Sequence, residues 1–166
     1  KSEYIGIPLN TSGNRIYIPF GYFPKDFISN NTMSVVAKSS LFHFGVLTSI
    51  MHMSWIKYIC GRIKSDYRYS KDLVYNNYPF PKNVSEKQKK AVEEKAQNVL
   101  DIRASFSDCS LADLYDPLSM PPNLKKAHQE LDKAVDNCYG SKLFKNDKER
   151  IEFLFGLYEE YSNTQK

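Results

Sequence analysis

The chain has 166 residues, of which 42% are hydrophobic and 25% are charged, and these fractions are typical of a soluble globular protein. The length suffices for one domain of ordinary size or two small ones. No apolar run approaches the roughly 20 residues that a membrane span needs, and the start, KSEYIGIPL, lacks the apolar centre of a signal peptide. We therefore expect no membrane partner. Because the chain also lacks an initiator Met and opens on what reads as a strand, we expect a piece of a longer protein.

The net charge of +4 is unevenly distributed along the chain. Residues 1–80 hold nine Lys and Arg against four Asp and Glu, whereas residues 81–166 hold fourteen against fifteen. Much of the excess lies in one short stretch, opposed only by Asp66, which contains Lys57, Arg62, Lys64, Arg68 and Lys71. Such a concentration suits a polyanionic partner, although most charge runs are simply solvated faces.

The first eighty residues predict a small β-containing domain built around a long helix. Tyr4–Pro8 is a short extended run, Ser12-Gly13-Asn14 is a turn signal, and residues 15–18 alternate polar and apolar, so we expect a hairpin. Residues 33–37 predict a third strand. Ser39 or Ser40 can cap a buried helix from Leu41 to about Ile63, which Gly61 ends or loosens.

The second half predicts an all-helical domain over residues 81–166, after a linker at residues 79–83. Ser85 and Gln88 form a capping box for a helix that runs to about residue 104. A loop with one helical turn follows at residues 108–117, and Pro121-Pro122 then begins a helix with Gly140 as its C′ residue. Asp147 caps a last helix that is expected to turn four side chains inward: Ile151, Leu154, Phe155 and Tyr158. The fold class is therefore α+β.

The sequence contains no signature of a catalytic or metal site. It has no Gly-rich phosphate or dinucleotide loop, no HExxH and no nucleophile beside a recognisable base. The NNYPFP run at residues 76–81 differs from the Asn-Pro-Pro-aromatic loop of amino-methyltransferases, because Phe80 separates its prolines. We expect a packed His52, surface carboxylates at Asp132 and Asp136, and free thiols, those of Cys60 and Cys138 on apolar helix faces.

Five ordered segments resemble one protein family over essentially the whole chain. They are LFHFGVLTS at residues 41–49, MHMSW at 51–55, GRIKSDYRYS at 61–70, YNNYPFP at 75–81 and SLADLYDPLSMPP at 110–122. They are similar to the C-terminal third of the MmeI-like (type IIL) restriction-modification enzymes and of related class I DNA methyltransferases. That family places an endonuclease domain, a helical connector and an adenine-N6 methyltransferase ahead of a target-recognition domain and a helical C-terminal domain.

The resemblance implies a division of labour between this chain and the rest of a bacterial cytoplasmic enzyme. Residues 1–80 correspond to the target-recognition domain, which reads double-stranded DNA, and residues 81–166 to the helical C-terminal domain. The chain by itself is then not an enzyme. S-adenosylmethionine and Mg²⁺ belong to the upstream methyltransferase and nuclease domains, which are its partners within one polypeptide.

The resemblance also places a base-reading pair at Lys64 and Asp66. Lys64 can donate to O6 and N7 of guanine and Asp66 can accept from N4 of cytosine, so together they could read one G·C pair. In an extended segment Arg68 shares their face and is the next candidate, while Tyr67 and Tyr69 point inward. The alternatives are a surface ion pair between Lys64 and Asp66, and Arg68 stacked on one of the two tyrosines.

Other residues are expected to contact DNA because of where they lie in the sequence. We expect phosphate contacts from Lys57, Arg62 and Lys71, which fix position without reading sequence. A segment near the DNA is expected at Ser29, Asn30, Asn31 and Thr32.

Two other functions compete with DNA recognition. The chain could be a non-catalytic protein-interaction module that docks another subunit through an aromatic face, or a self-contained nuclease or methyltransferase. The missing cofactor loop argues against the second. Residues 85–166 could act purely as a structural brace.

Overall fold

A computed structural model describes residues 3–28, 31–140 and 144–164, with strands concentrated in the first part of the chain and helices in the second. The strands are β1 (Tyr4–Pro8), β2 (Asn10–Thr11), β3 (Gly21–Phe23), β4 (Met33–Ala37), β5 (Gly61–Ile63) and β6 (Asp66–Arg68). The α-helices are α1 (Leu41–Leu47), α2 (Ile50–Ile59), α3 (Glu86–Ala104), α4 (Leu111–Leu114), α5 (Pro122–Asp136) and α6 (Asp147–Thr164). The predicted α+β class is confirmed. Within the described ranges, no helix is both long and apolar enough to cross a membrane.

The strands form two small antiparallel sheets in the orders β3-β1-β4 and β2-β6-β5. Strands β1 and β4 were both predicted, but the predicted hairpin between residues 4–8 and 15–18 is wrong, because β1 pairs with β3 and β4 instead. Residues 15–18 belong to neither sheet. Tyr17 turns inward, where its hydroxyl donates to the Asp132 carboxylate at 2.6 Å, so its burial comes from a contact 115 residues away in sequence.

The predicted long helix over residues 41–63 is also wrong, because it is broken at residues 48–49. Ser40 caps α1 through a capping box with His43, and Ser49 has extended backbone angles at the start of α2. The first N–H groups of a helix need external acceptors, and the Ile50 N–H finds one in the Asp132 carboxylate at 2.7 Å. The end near Gly61 is confirmed, since α2 stops at Ile59 and Gly61 begins β5.

The helical half follows its local signals closely. Ser85 and Gln88 form the predicted capping box, and a 3₁₀ turn after α5 ends at Gly140, whose φ of 136° lies in the region that favours glycine. In α6, Ile151 and Leu154 are buried as expected. The other two side chains predicted to face inward remain partly exposed, with Phe155 at 41% and Tyr158 at 37%.

One hydrophobic core joins the two halves of the chain. Helix α1 lies against α3, and a Cβ added at Gly45 would come within 2.6 Å of Val92 Cγ1, which shows how closely these helices approach. Helix α2 packs against α6 through Trp55, whose ring lies 5.6 Å from Phe155 and 6.0 Å from Tyr158. The β-containing and helical segments therefore support one another.

Several polar side chains are buried within this core. Asp132 and Asp136 were expected on the surface, but they are 8% and 4% exposed, because Asp132 binds Tyr17 and Ile50 while Asp136 forms an ion pair with Arg150 at 2.7 Å. His52 is fully buried, as predicted. The thiols of Cys60 and Cys138 are free and buried, whereas Cys109 is free and exposed.

Candidate nucleic-acid interface

The residues singled out from the sequence converge on one exposed hairpin, formed by β5 and β6. Its register pairs Ile63 with Asp66 and Gly61 with Arg68, so that residues 64–65 form the turn. On its other side, β6 pairs with β2, which places Asn10 opposite Arg68. The hairpin is thus the outer part of a three-stranded sheet whose tip lies in solvent.

Side chains alternate along β6 as the sequence predicts. Tyr67 and Tyr69 are 3% and 2% exposed, whereas Asp66 and Arg68 are exposed on the opposite face. Lys64 was expected to share that face by the same alternation. This part of the prediction is wrong, because Lys64 occupies the turn with a φ of +56° and the period of two does not extend through it. Lys64 is nevertheless exposed at the tip, two residues before Asp66.

The inward tyrosines anchor this surface on the core. The Tyr69 hydroxyl lies 3.2 Å from Nε2 of His52, and the Tyr69 ring meets Phe20 edge-on at 5.9 Å. Nδ1 of His52 lies 2.7 Å from the carbonyl oxygen of Leu47. Burial lowers the pKa of His52 to about 4, so the ring is neutral at physiological pH and serves packing. The exposed face of β6 is therefore backed by side chains that are packed and hydrogen-bonded in the core.

Two other roles had been considered for the exposed side chains: an ion pair between Lys64 and Asp66, and stacking of Arg68 on Tyr67 or Tyr69. Within the described part of the chain, Lys64 and Asp66 form no ion pair, and the cation that stacks on Tyr67 is Arg62, with its guanidinium carbon 3.8 Å from the ring centre. Arg68 makes no such stack there. Lys64, Asp66 and Arg68 thus remain accessible to a ligand.

The three expected phosphate contacts are placed differently. Lys57 forms an ion pair with Asp147 at the start of α6, and this pairing occupies its ammonium group. The Arg62 guanidinium donates to the Ser65 carbonyl at 2.8 Å as well as stacking on Tyr67. Lys71 is exposed and lies 3.8 Å from Asp72, and it therefore remains the most available of the three.

The segment expected near DNA adjoins the same surface. Ser29 and Asn30 lie outside the described residues, whereas Asn31 and Thr32 are exposed. Leu9 connects this segment to the hairpin, because its N–H donates to the Thr32 carbonyl at 3.0 Å and its carbonyl accepts from the Tyr69 N–H at 2.8 Å. Residues 31–32, strand β2 and strand β6 thus lie side by side.

Sequence reasoning missed two residues that shape this surface. The Gly13 N–H donates to Oδ1 of Asp66 at 3.3 Å, which brings the loop at residues 12–14 against the hairpin tip. Asn10 lies beside Arg68 across the β2–β6 pairing. Gly13 had been assigned to a turn, but nothing local in the sequence indicates which segment that turn would contact.

Comparisons with known proteins match the chain in two successive segments. Residues 1–82 match the model of the MmeI target recognition domain, and residues 84–165 match the model of the MmeI C-terminal domain. The chain belongs to the MmeI family. It is 42% identical over 156 residues to DNA methyltransferase A of Bacillus subtilis (strain 168), covering 94% of this chain and 18% of that protein.

A solved structure of an MmeI family member supports the same assignment. The chain is similar to the type IIL restriction-modification enzyme MmeI, whose structure is described as a complex with DNA, with a TM-score of 0.91 and 43% sequence identity. The match covers 98% of this chain and 22% of that one. The chain therefore spans about a fifth of the length of each of these two relatives.

Proposed function

We propose that the chain reads the base sequence of duplex DNA with the exposed tip and outer face of the β5–β6 hairpin. The observation that carries this proposal is that Asp66 and Arg68 project from one face of β6 beside Lys64 at the tip, while Tyr67 and Tyr69 fix the strand from behind. The match to a target recognition domain supports it. So does the 43% identity to an enzyme whose structure is described in complex with DNA.

The chemistry of the three side chains suits the major groove. The Lys64 ammonium group can donate to O6 and N7 of guanine, and the Asp66 carboxylate can accept from N4 of cytosine, so the two could read both edges of one G·C pair. Arg68 can donate in bidentate fashion to a second guanine. Each good contact discriminates against a wrong base by about 1–3 kcal/mol. The Lys71 ammonium group suits a phosphate, which adds affinity without sequence information.

The chain would serve a larger enzyme rather than catalyse a reaction itself. We propose an adenine-N6 methyltransferase that also carries an endonuclease and works in the bacterial cytoplasm, with S-adenosylmethionine and Mg²⁺ bound by its other domains. Across the ranges that the structure describes, no three His, Cys, Asp or Glu side chains are grouped to hold a metal ion. A methyl-transfer assay on the chain alone tests this division, and the expected result is no transfer.

The decisive experiment exchanges the charges of the reading pair in the full-length enzyme. DNA exposed to wild type and to the double variant Lys64→Glu, Asp66→Arg is mapped for methylated adenines. We expect one position of the recognised sequence to change from G·C to C·G, because the acid and the base trade places. The matched control reverses an exposed i,i+4 pair on α6, Lys148→Glu with Glu152→Arg, whose charges lie 3.8 Å apart.

The outcomes separate the proposal from its rival. Methylation of the original sequence by the double variant would show that the pair does not read a base. A protein-docking module would bind its partner with little dependence on salt, whereas phosphate contacts make DNA affinity fall steeply as salt rises. A salt titration of duplex binding therefore distinguishes the two functions even if the reading residues lie elsewhere.

A further inference from the structure

We propose that Gly13 and Arg62 are positioning residues that hold the hairpin tip in its reading geometry from two sides. This inference rests on the proposed function, because it concerns how Lys64 and Asp66 are presented to a base pair. It assigns a task to the loop at residues 12–14 and gives Arg62 a role other than a phosphate contact. Neither residue touches a base in this proposal.

The first contact is the close approach of Gly13 to the tip. Its N–H donates to Oδ1 of Asp66 at 3.3 Å. A Cβ at this position would overlap the Ser65 carbonyl oxygen, far inside the 3.0 Å below which Cβ contacts essentially never occur, and would lie 3.0 Å from Nη1 of Arg62. Because the clashing atom belongs to the backbone, it cannot turn away as a side-chain end would. Any larger residue here must push the loop and the tip apart.

The second contact is made by Arg62 within the hairpin. Its guanidinium donates to the Ser65 carbonyl at 2.8 Å, while Cζ of the same group lies over the Tyr67 ring, 3.8 Å from the ring centre. Arg62 and Tyr67 are paired across β5 and β6, so the stack follows from the strand register. The Ser65 carbonyl is thus enclosed by Gly13 and by Arg62. The turn that carries Lys64 with a φ of +56° is held on both sides.

The arrangement has a consequence for base reading. The Gly13 N–H engages Oδ1 of Asp66, which directs that carboxylate and leaves Oδ2 to accept from a cytosine amine. Functional groups must be held within about 0.5 Å of their productive geometry by their supporting contacts. Without the support of Gly13 and Arg62, the tip can shift by more than about 0.5 Å. The hairpin then binds correct and incorrect base pairs with similar affinity.

The test uses the full-length enzyme and two duplexes that differ only at the base pair assigned by the charge-exchange experiment. The measured quantity is the ratio of the two dissociation constants, which remains defined even when overall affinity falls. For Gly13→Ala we expect this ratio to fall by about tenfold, a large part of what one good base contact supplies. The matched control is Gly156→Ala in α6, outside the hairpin, where an added Cβ would meet no atom within 4 Å, and the ratio should not change.

Arg62→Lys provides a second variant that keeps the charge. Lysine retains a phosphate contact but loses the planar stack and the directed donation to Ser65. If Arg62 positions the tip, the ratio falls while the salt dependence of binding is kept, and this outcome decides the matter should Gly13→Ala fail to fold. An unchanged ratio in folded Gly13→Ala and in Arg62→Lys, or an equal fall in Gly156→Ala, would overturn the inference. Failure of the charge exchange itself would instead contradict the proposed function.

Discussion

The buried carboxylate of Asp132 gives the folded chain a specific dependence on pH. It lies where α5 meets the break between α1 and α2, and it accepts from the Tyr17 hydroxyl at 2.6 Å and the Ile50 N–H at 2.7 Å. Burial raises the pKa of Asp132 from 3.8 to about 7, although these two hydrogen bonds oppose the rise. The neighbouring Asp136 raises the pKa further, and Arg150 lowers it.

The direction in which stability changes with pH follows from the pKa of Asp132 in the folded and in the unfolded state. The folded state keeps the proton up to about pH 7, whereas the unfolded chain releases it near 3.8, so the free energy of unfolding falls as pH rises between these values and then levels off. At about 1.4 kcal/mol for each pH unit, the loss approaches about 4 kcal/mol by pH 8.

Replacing Asp132 by Asn should remove this cost. The amide has nearly the same shape, its oxygen can accept from the Ile50 N–H, and its nitrogen can donate to the Tyr17 hydroxyl. We therefore expect Asp132→Asn to match the wild type near pH 4 and to exceed it at pH 8, by up to about 4 kcal/mol. Urea unfolding followed by the fluorescence of the single tryptophan, Trp55, measures the difference.

An exposed carboxylate provides the control for this experiment. Asp101 on α3 is exposed, and Asp101→Asn should leave the pH dependence of unfolding as it is in the wild type. If Asp132→Asn also keeps the wild-type pH dependence, Asp132 does not bind its proton more tightly in the folded state. The reasoning from burial would then be refuted.

Three further substitutions have defined outcomes. In the wild type, Nη1 of Arg103 donates to the buried Phe20 carbonyl at 2.7 Å. Arg103→Met removes this donor and should therefore lower the free energy of unfolding by about 3 kcal/mol in a denaturant titration. Lys71→Ala should weaken binding to all duplexes alike and reduce the slope of log affinity against log salt by about 1. Lys57→Ala should leave that slope unchanged, because the ammonium group already pairs with Asp147, and it should lower stability by under about 1 kcal/mol.

The parts of the fold that sequence predicted correctly depend on local chemistry. The capping box at Ser85 and Gln88 and the glycine at position 140 act within one helical turn, so their effect is visible in neighbouring letters. The break at residues 48–49 depends on Asp132, which lies 82 residues from Ile50 in sequence. An apolar run at helical spacing cannot reveal an acceptor that arrives from another helix, and the two helices were therefore predicted as one.

In the candidate interface, too, the local features were predicted and the contacts between distant segments were not. The alternation of residues 66–69 is a property of one strand, and the exposed Asp66 and Arg68 were predicted from it. The sequence did not reveal that residue 64 begins a turn, since a φ of +56° in a lysine depends on how β5 and β6 pair. Nor did it reveal the contact between Gly13 and Asp66, which joins segments 53 residues apart.

The helical half reaches the reading face through a short series of contacts, and this gives it a physical role. The Leu47 carbonyl can only accept, so Nδ1 of His52 carries the ring proton and Nε2 accepts from the Tyr69 hydroxyl behind Arg68. Leu47 ends α1 at the break whose far side is held by the Asp132 carboxylate on α5. Displacing α5 would therefore leave the partly buried Ile50 N–H without its acceptor. Through the Ile50 N–H and the Leu47 carbonyl, on either side of the break, α5 is thus connected to the buried side of β6.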